Sequence, residues 1–318
     1  IRSIPSVMDG FKPSQRKILY AAFKRKLTNE VKVSQFIGYA SEHSSYHHGE
    51  MSLTGTMIGL AQNYVGSNNV NLFEPCGQFG TRLKGGKDHS SARYIFTKLS
   101  KVTRLIFRQE DDHLLKYLDD DGFKIEPIYY LPIIPMLLVN GSEGIGTGYS
   151  TYIPNFDALD IIDYFKIKCK NDEKDLEWDF NPSYKNFNGE IKKIEEKKYI
   201  SKGCYNKKGK SIIEITELPI GKWTQDYKEN LEEFMDKDKK NKILLQSYET
   251  HCTDTEVKFN LKFNKDVDLE DMIFDKNGLG INKLEEKLKL TKNINLTNMV
   301  AYDSNKKLKK LLYITEDS

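Results

Sequence analysis

The chain has 318 residues, with 49 Lys and Arg against 46 Asp and Glu for a formal charge of +3, and it is 38% hydrophobic and 30% charged. That balance is ordinary for a soluble globular protein and excludes disordered and collagen-like chains, while the length allows about two domains. The charge is uneven: Ile1 to Arg104 holds 15 Lys and Arg against 6 Asp and Glu, a local +9 that leaves −6 for the rest, and a basic folded block is a candidate nucleic-acid footprint.

From Pro13 to Lys26 the apolar residues Ile18, Leu19, Ala22 and Phe23 form a helical stripe, and the other face carries Arg16, Lys17, Lys24 and Arg25. Pro13 suits a first helical turn. Val31 to Ala40 is expected to supply a short connecting helix, and Leu53, Met57, Leu60, Ala61 and Tyr64 mark a further helix over about Gly49 to Tyr64. Gly66 to Gly86 is rich in Gly and Asn, with glycines at 77, 80, 85 and 86 around Phe79, Arg82, Lys84 and Lys87. Short helices followed by a glycine-hinged basic loop is the order of a winged helix-turn-helix. Ala92 to Tyr117 reads as helix or loop and helix, Asp119 to Gly122 as a turn, and Tyr130 to Val139 as a strand closing on Asn140-Gly141. Beyond Glu190 the chain is rich in Lys and Glu, and Ile213 to Leu218 alternates as a strand, with Ile213, Ile215 and Leu218 set against Glu214 and Glu217. Asp236 to Lys242 reads as a solvated turn. The expected fold class is mixed α/β (α+β).

Cys76, Cys169, Cys204 and Cys252 lie far apart without a C-x-x-C pair, which favours a reducing compartment over a zinc ribbon or disulfide framework. The apolar run Ile133 to Val139 is broken by Pro135 and falls far short of the ~20 residues of a membrane span, so a soluble protein is expected. The sequence opens on Ile1, inside a structured motif and without an initiator Met, and reads as a fragment.

Three clusters carry candidate chemistry. Glu42 to Glu50 contains His43, His47 and His48. His43 and His47 could share a helical face and hold a metal, the imidazoles could hydrogen-bond a phosphate or reacting oxygen, or the segment could be a capping loop with incidental histidines. Tyr94 follows Arg93 at the end of the basic loop. One tyrosine among 18 is by default a packing residue, but a phenol attacks a phosphodiester where cations stabilise the developing charge. Arg93, His48, Arg2 and Lys12 could supply it. Gly141 to Gly148 lacks both the Lys-Ser/Thr ending of a phosphate loop and the G-x-G-x-x-G fingerprint. Its glycines suit close backbone approach, and Ile145 is either a wedge between base pairs or a core residue.

In order, Arg2-Ser3-Ile4-Pro5-Ser6, Asp9-Gly10-Phe11-Lys12-Pro13, Gln15-Arg16-Lys17, Tyr46-His47-His48-Gly49-Glu50, Gln78-Phe79-Gly80-Thr81-Arg82, Gly85-Gly86-Lys87-Asp88 and Ala92-Arg93-Tyr94-Ile95 resemble the eukaryotic-type DNA topoisomerase II (type IIA) family. The likeness continues through Leu131-Pro132 and Val139-Asn140-Gly141 to Gly144-Ile145-Gly146-Thr147-Gly148, with weaker echoes at Ile215-Thr216-Glu217-Leu218-Pro219 and Asn298 to Asp303. The His-Pro-His-Gly-Asp wording of the bacterial gyrase A branch fits His47-His48-Gly49-Glu50 less well.

The resemblance implies a breakage-reunion core: a winged-helix domain over 1–125, a tower domain over 126–295, and a return segment over 296–318 in which Lys306 to Tyr313 begins a basic helix leading to a coiled coil. It implies that Tyr94 is the nucleophile, leaving a 5′-phosphotyrosyl bond, with Arg93 and His48 acting on the phosphate. Arg2, Lys12, Arg16, His47, Arg82, Lys84 and Lys87 would contact DNA, Ile145 would bend it, and Met51 would border an inhibitor pocket. Double-stranded DNA and a second copy of the chain are the implied partners, and the nucleus the implied location. Mg²⁺ and ATP would be bound outside this chain, so the fragment alone should bind DNA without cleaving it efficiently. A non-catalytic winged-helix protein that binds or bends DNA, and a histidine-cluster metallohydrolase, are the competing readings.

Overall fold

The structure is a computed structural model that describes residues 2–170, 180–235, 245–274, 278 and 280–311. Helix α1, Pro13–Arg25, starts at its proline and buries Ile18, Leu19, Ala21 and Ala22. Lys26 ends it in the left-handed region at φ 51°, donating its amide to Phe23. Two residues of strand β1, Val31–Lys32, lead into α2, Val33–His43, whose buried Val33, Phe36, Ile37 and Ala40 follow the helical repeat. Helix α3, Glu50–Ala61, buries Leu53, Met57, Ile58, Leu60 and Ala61 against the first two. Strands β2, Phe73–Cys76, and β3, Phe96–Leu99, complete an antiparallel sheet in the order β1-β3-β2. Helix, strand, two helices, strand, long loop, strand is the winged-helix order, and the loop from Gly77 to Ile95 is the wing.

The helix expected over Ala92 to Tyr117 is mostly absent. Thr97 and Leu99 pair with Pro75 and Phe73, so this β-branched and aromatic stretch is drawn into the sheet, and only the short helix α4, Thr103–Ile106, and a 3₁₀ turn, Gln109–Leu114, remain. Strands β4, Tyr117–Asp120, and β5, Phe123–Pro127, form a hairpin over Asp121 and Gly122, which take φ of 51° and 85°. Both central residues at positive φ is the type I′ turn that a two-residue hairpin favours. The strand expected over Tyr130 to Val139 is also corrected. Pro132 and Pro135 cannot donate to a ladder, and the segment ends as helix α5, Met136–Asn140, with Leu138 and Val139 donating to the carbonyl of Pro135. A second hairpin pairs β6, Ser142–Gly146, with β7, Tyr149–Ile153, and α6, Ala158–Lys170, follows.

Strands β8, Glu190–Glu195, and β9, Lys198–Lys202, are followed by β10, Cys204–Lys207, β11, Ile212–Glu217, and helix α7, Thr224–Met235. Next come β12, Leu245–Thr250, β13, Phe259–Phe263, and the short helices α8, Leu269–Ile273, and α9, Lys283–Lys287. Strands β14, Thr291–Asn295, β15, Val300–Tyr302, and β16, Leu308–Lys310, end the described chain. One antiparallel sheet runs β10-β11-β13-β12 and another β14-β9-β8. The strand expected at Ile213 to Leu218 is β11. The helix expected from Lys306 is not formed through residue 311, because Leu308 pairs with Tyr302 and Lys310 with Val300 in a hairpin. The solvated turn expected at Asp236 to Lys242 and the remainder of the C-terminal run lie outside the described residues.

The first core gathers residues from Phe11 to Ile161 together with Met299 and Ala301. It passes through 125 unbroken, since Met136 to Val139, Ile153, Phe156 and Ile161 belong to it. A second core, built on Ile213, Ile215, Tyr227, Leu231, Phe259 and Leu261, fills the space between the four-stranded sheet and α7. Tyr184, Tyr199, Ile220 and Ile294 form a smaller cluster, and Val65 and Tyr152 from the first part of the chain pack on it.

Candidate nucleic-acid interface

The N-terminal arm runs beside the β6-β7 hairpin. Pro5 and Val7 exchange backbone hydrogen bonds with Tyr302, which fixes the arm at one end. The carbonyl of Ser3 lies so close to Gly144 that a side chain at 144 would collide with it. Lys12 spans the same gap and donates from Nζ to the carbonyl of Glu143 at 2.6 Å. Burial pushes the Lys12 amine below its usual pKa, with the Glu143 charge partly opposing. Glycine is needed at 144 for this approach. The next residue, Ile145, is not tucked into the core: it is 82% exposed, near the tip of the hairpin. The glycine cluster therefore builds a two-stranded hairpin rather than a nucleotide loop.

The guanidinium of Arg2 lies against the His48 ring, with Nη2 2.9 Å from Nδ1, and Tyr46 meets that ring edge-on at 5.5 Å. Helix α2 ends at His43, so His43 and His47 do not share a helical face. His43 stacks on Tyr39 at 3.9 Å, and His47 reaches toward Asp120 at 3.7 Å. Among the described residues no three His, Cys, Asp or Glu side chains converge as a metal site. Met51, on the first turn of α3, is 90% exposed.

The wing is a folded loop. Gln62 donates to the carbonyls of Phe79 and Gly86 at 2.9 and 3.2 Å, and Asp88 accepts from the amide and hydroxyl of Thr81. Burial opposes ionisation of Asp88, but the Thr81 hydrogen bonds outweigh it and hold the pKa below the usual carboxylate range. Gly80, at φ +98°, passes against the backbone of Gly86, leaving no room for a Cβ. Lys84 and Lys87 stand exposed on this scaffold. At the end of the wing, the amides of Val33 and Ser34 at the start of α2 donate to the carbonyls of Ile95 and Ala92. Backbone is thus pinned on both sides of Tyr94, which is 68% exposed. Among the described residues nothing hydrogen-bonds its hydroxyl, and the Arg93 guanidinium lies 5.2 Å from its ring centroid.

Two residues expected to touch DNA are corrected. Arg16 lies on the buried side of α1 and donates twice to Asp9, at 2.8 and 3.0 Å, and once to the carbonyl of Phe11. Asp9 is fully buried and also accepts from the amides of Phe11 and Tyr130. Arg82 is likewise buried and pairs with the buried Glu217 of β11. In both cases desolvation requires the cation to face its carboxylate rather than a solvent-side phosphate. Sequence reasoning misses Asp9, Asp88 and Glu217 as parts of the site. Glu217 has a legible signal: it shares parity with Ile213 and Ile215, whose side chains face the core.

A winged helix that pins an exposed Arg-Tyr pair at the end of a basic wing, beside a hairpin with an exposed isoleucine, defines a nucleic-acid-binding protein. The chain belongs to the DNA gyrase/topoisomerase IV A-subunit family, whose model matches residues 2–317. It is 50% identical over 316 residues to the DNA topoisomerase 2 of Plasmodium falciparum (isolate K1 / Thailand), covering 99% of this chain and 22% of that protein. Identity is 48% over 319 residues with the mitochondrial DNA topoisomerase 2 of Dictyostelium discoideum, covering 99% of this chain and 23% of that one. It is 48% over 303 residues with human DNA topoisomerase 2-alpha, covering 95% and 19%. The crystal structure of the Plasmodium falciparum topoisomerase II DNA-binding, cleavage and re-ligation domain superposes with a TM-score of 0.90 at 50% identity, covering 99% of this chain and 41% of that one. The chain spans about a fifth of the length of the curated relatives it matches. No described helix is long and apolar enough to cross a membrane.

Proposed function

We propose that this chain is the breakage-and-reunion segment of a type IIA topoisomerase, which cuts and reseals double-stranded DNA as a homodimer during ATP-dependent strand passage. The observation that carries the reading is the Tyr94 phenol, exposed on backbone that α2 holds from both sides and next to Arg93. In this reading Tyr94 Oη loses its proton to a neighbouring base as it bonds to the phosphorus, the P–O3′ bond breaks, the phosphate now links the tyrosine to the 5′ oxygen, and the freed 3′ oxygen takes up a proton in exchange. Reversal reseals the strand without a further energy source. Arg93 stabilises charge on the phosphate oxygens, and His48, with Arg2 against it, hydrogen-bonds the phosphate or assists the proton transfer. Lys12, Lys84, Lys87 and His47 follow the DNA backbone, and Ile145 wedges between base pairs. Domains over 1–125, 126–295 and 296–318 are our proposed division of labour along the chain, a division of roles rather than of packing, since the first core is shared across residue 125 and with Met299 and Ala301.

Mg²⁺ and ATP belong to the whole enzyme in this proposal. The described residues fit neither group: no acidic or histidine cluster converges, and Gly141 to Gly148 is a hairpin without a following phosphate-binding helix. That both are bound outside this chain is part of the proposal, and no step is routed through them. We further propose an inhibitor pocket beside Met51 and a nuclear location, which imaging of the tagged protein against nuclear and mitochondrial markers would decide.

The test uses the full-length enzyme with Mg²⁺ and end-labelled duplex, quenched with denaturant. Protein should be trapped on 5′ ends, and Tyr94→Phe should abolish trapping while DNA affinity survives. Covalent complex at the parent level in that variant overturns the assignment.

A further inference from the structure

The wing that ends at Tyr94 is fastened to the second core as well as to the first. Its anchor is the Arg82 guanidinium, which meets Glu217 through both carboxylate oxygens, with Nη1 3.4 Å from Oε2. Glu217 also accepts from the amides of Leu218, at 2.8 Å, and Asn188, at 3.2 Å. Two backbone bonds run parallel to the ion pair: Thr224 donates to the carbonyl of Arg82 and Gln225 to that of Leu83, at 3.3 and 2.9 Å. Trp223 closes the joint, lying so near Gly85 that only a glycine fits, with Tyr64 edge-on to its ring at 5.6 Å. A buried carboxylate with four donors on it is an expensive device for mere adhesion, because apolar side chains would join two surfaces without the desolvation cost. What the pair adds is a fixed direction, since a guanidinium and a carboxylate meet well in few orientations.

We propose that Arg82 and Glu217 are positioning residues for strand cleavage: by latching the wing to β11 and the start of α7, they set where the wing's far end presents Tyr94. The inference rests on the proposed nucleophilic role of Tyr94. Both side chains are buried, so neither is presented to DNA. Their effect travels along the wing, whose internal bonds from Gln62 and from Thr81 to Asp88 make it stiff enough to transmit a displacement. Movement of the second core relative to the first would then alter cleavage without altering the DNA-contacting lysines.

The experiment compares the full-length enzyme with its Glu217→Gln, Arg82→Met and doubly substituted forms, with Mg²⁺. The initial rate of covalent complex formation, DNA affinity and hydrogen exchange of the wing amides are measured. A displacement of about 1 Å in a reacting group costs roughly a hundredfold in rate, so a loss of at least about tenfold in cleavage is expected, with DNA affinity within about twofold. Exchange should rise over residues 80–94 and not over β11 and β13, and the double variant should be no worse than the more severe single one. Glu217→Gln keeps the side-chain shape and carries the test if Arg82→Met does not fold. Cleavage within twofold of the parent, losses that simply add, or exchange that rises through the second core as well, each overturns the latch. Absence of covalent complex from the parent enzyme instead overturns the role of Tyr94, and the latch with it.

Discussion

Arg16 and Lys87 look alike in the sequence, each a cation in the basic third, and their surroundings separate them. Arg16→Ala would leave Asp9 buried with its ionic partner gone, so it should lower the unfolding free energy by about 3–5 kcal/mol in denaturant titration, with the salt dependence of DNA binding unchanged. Lys87→Ala should do the opposite, leaving stability alone and making the slope of log K against log salt shallower by about 1. Equal slopes for both variants would show that Arg16 leaves Asp9 to reach a phosphate. Which cations are exposed is not legible from charge arithmetic, because a count cannot see pairing. The partners are 7 and 135 residues away in sequence from Arg16 and Arg82. Glu217 is nearer to legibility. Reading β11 strictly by twos puts it on the core face with Ile213 and Ile215, and an acid on a core face demands a cation; setting it with Glu214 on the solvent face hides that demand.

At the scale of elements, the helices of the winged fold are plain in the sequence, since α1, α2 and α3 each bury a regular stripe. Short elements are not. Residues 96–99 become a strand because β2 offers an edge, which is information from elsewhere in the chain, whereas residues 130–139 look like a strand by their apolar content although Pro132 and Pro135 argue against a ladder. The wing's stiffness gives a pH prediction. Burial, aided by the Asp88 charge, pushes the Tyr64 phenol up to about 12. A phenol whose folded pKa is raised contributes stability that is complete below about pH 10 and is lost as pH climbs through the folded value. Asp88, held low by Thr81, has the reverse sign: its contribution is present above about pH 4 and fades as pH falls through its lower folded value. In a Trp178→Phe background, Trp223 fluorescence should therefore report the wing loosening at both extremes, and Tyr64→Phe should remove the alkaline transition only. The β6-β7 hairpin makes a separate prediction. Ile145→Ala should reduce DNA bending, read by end-to-end energy transfer, with a smaller effect on affinity, as expected if the side chain acts by unstacking base pairs.

For the molecule as a whole, a net charge of +3 understates how it meets a polyanion and the +9 of its first third overstates it. With Arg16 and Arg82 internally paired, Arg2, Lys84, Lys87 and Arg93 are the exposed cations around the site. Each phosphate neutralised contributes about −0.9 to the salt slope, so these four together with Lys12 predict roughly −4.5 per chain. A markedly steeper slope would mean that other parts of the chain share the DNA. The joining of Pro5 and Val7 to Tyr302 has a mechanical consequence. Nearly the whole described fold is enclosed between two stretches of backbone that lie side by side and exchange hydrogen bonds. Tension drawn along the chain at those two points is borne by that short clasp and by Ala301 buried beside it. The β6-β7 hairpin shares that load, since the Thr151 hydroxyl donates to the carbonyl of Val300 at 2.7 Å and accepts from its amide at 3.0 Å, whereas among the described residues no backbone hydrogen bond joins Tyr94 to either stretch.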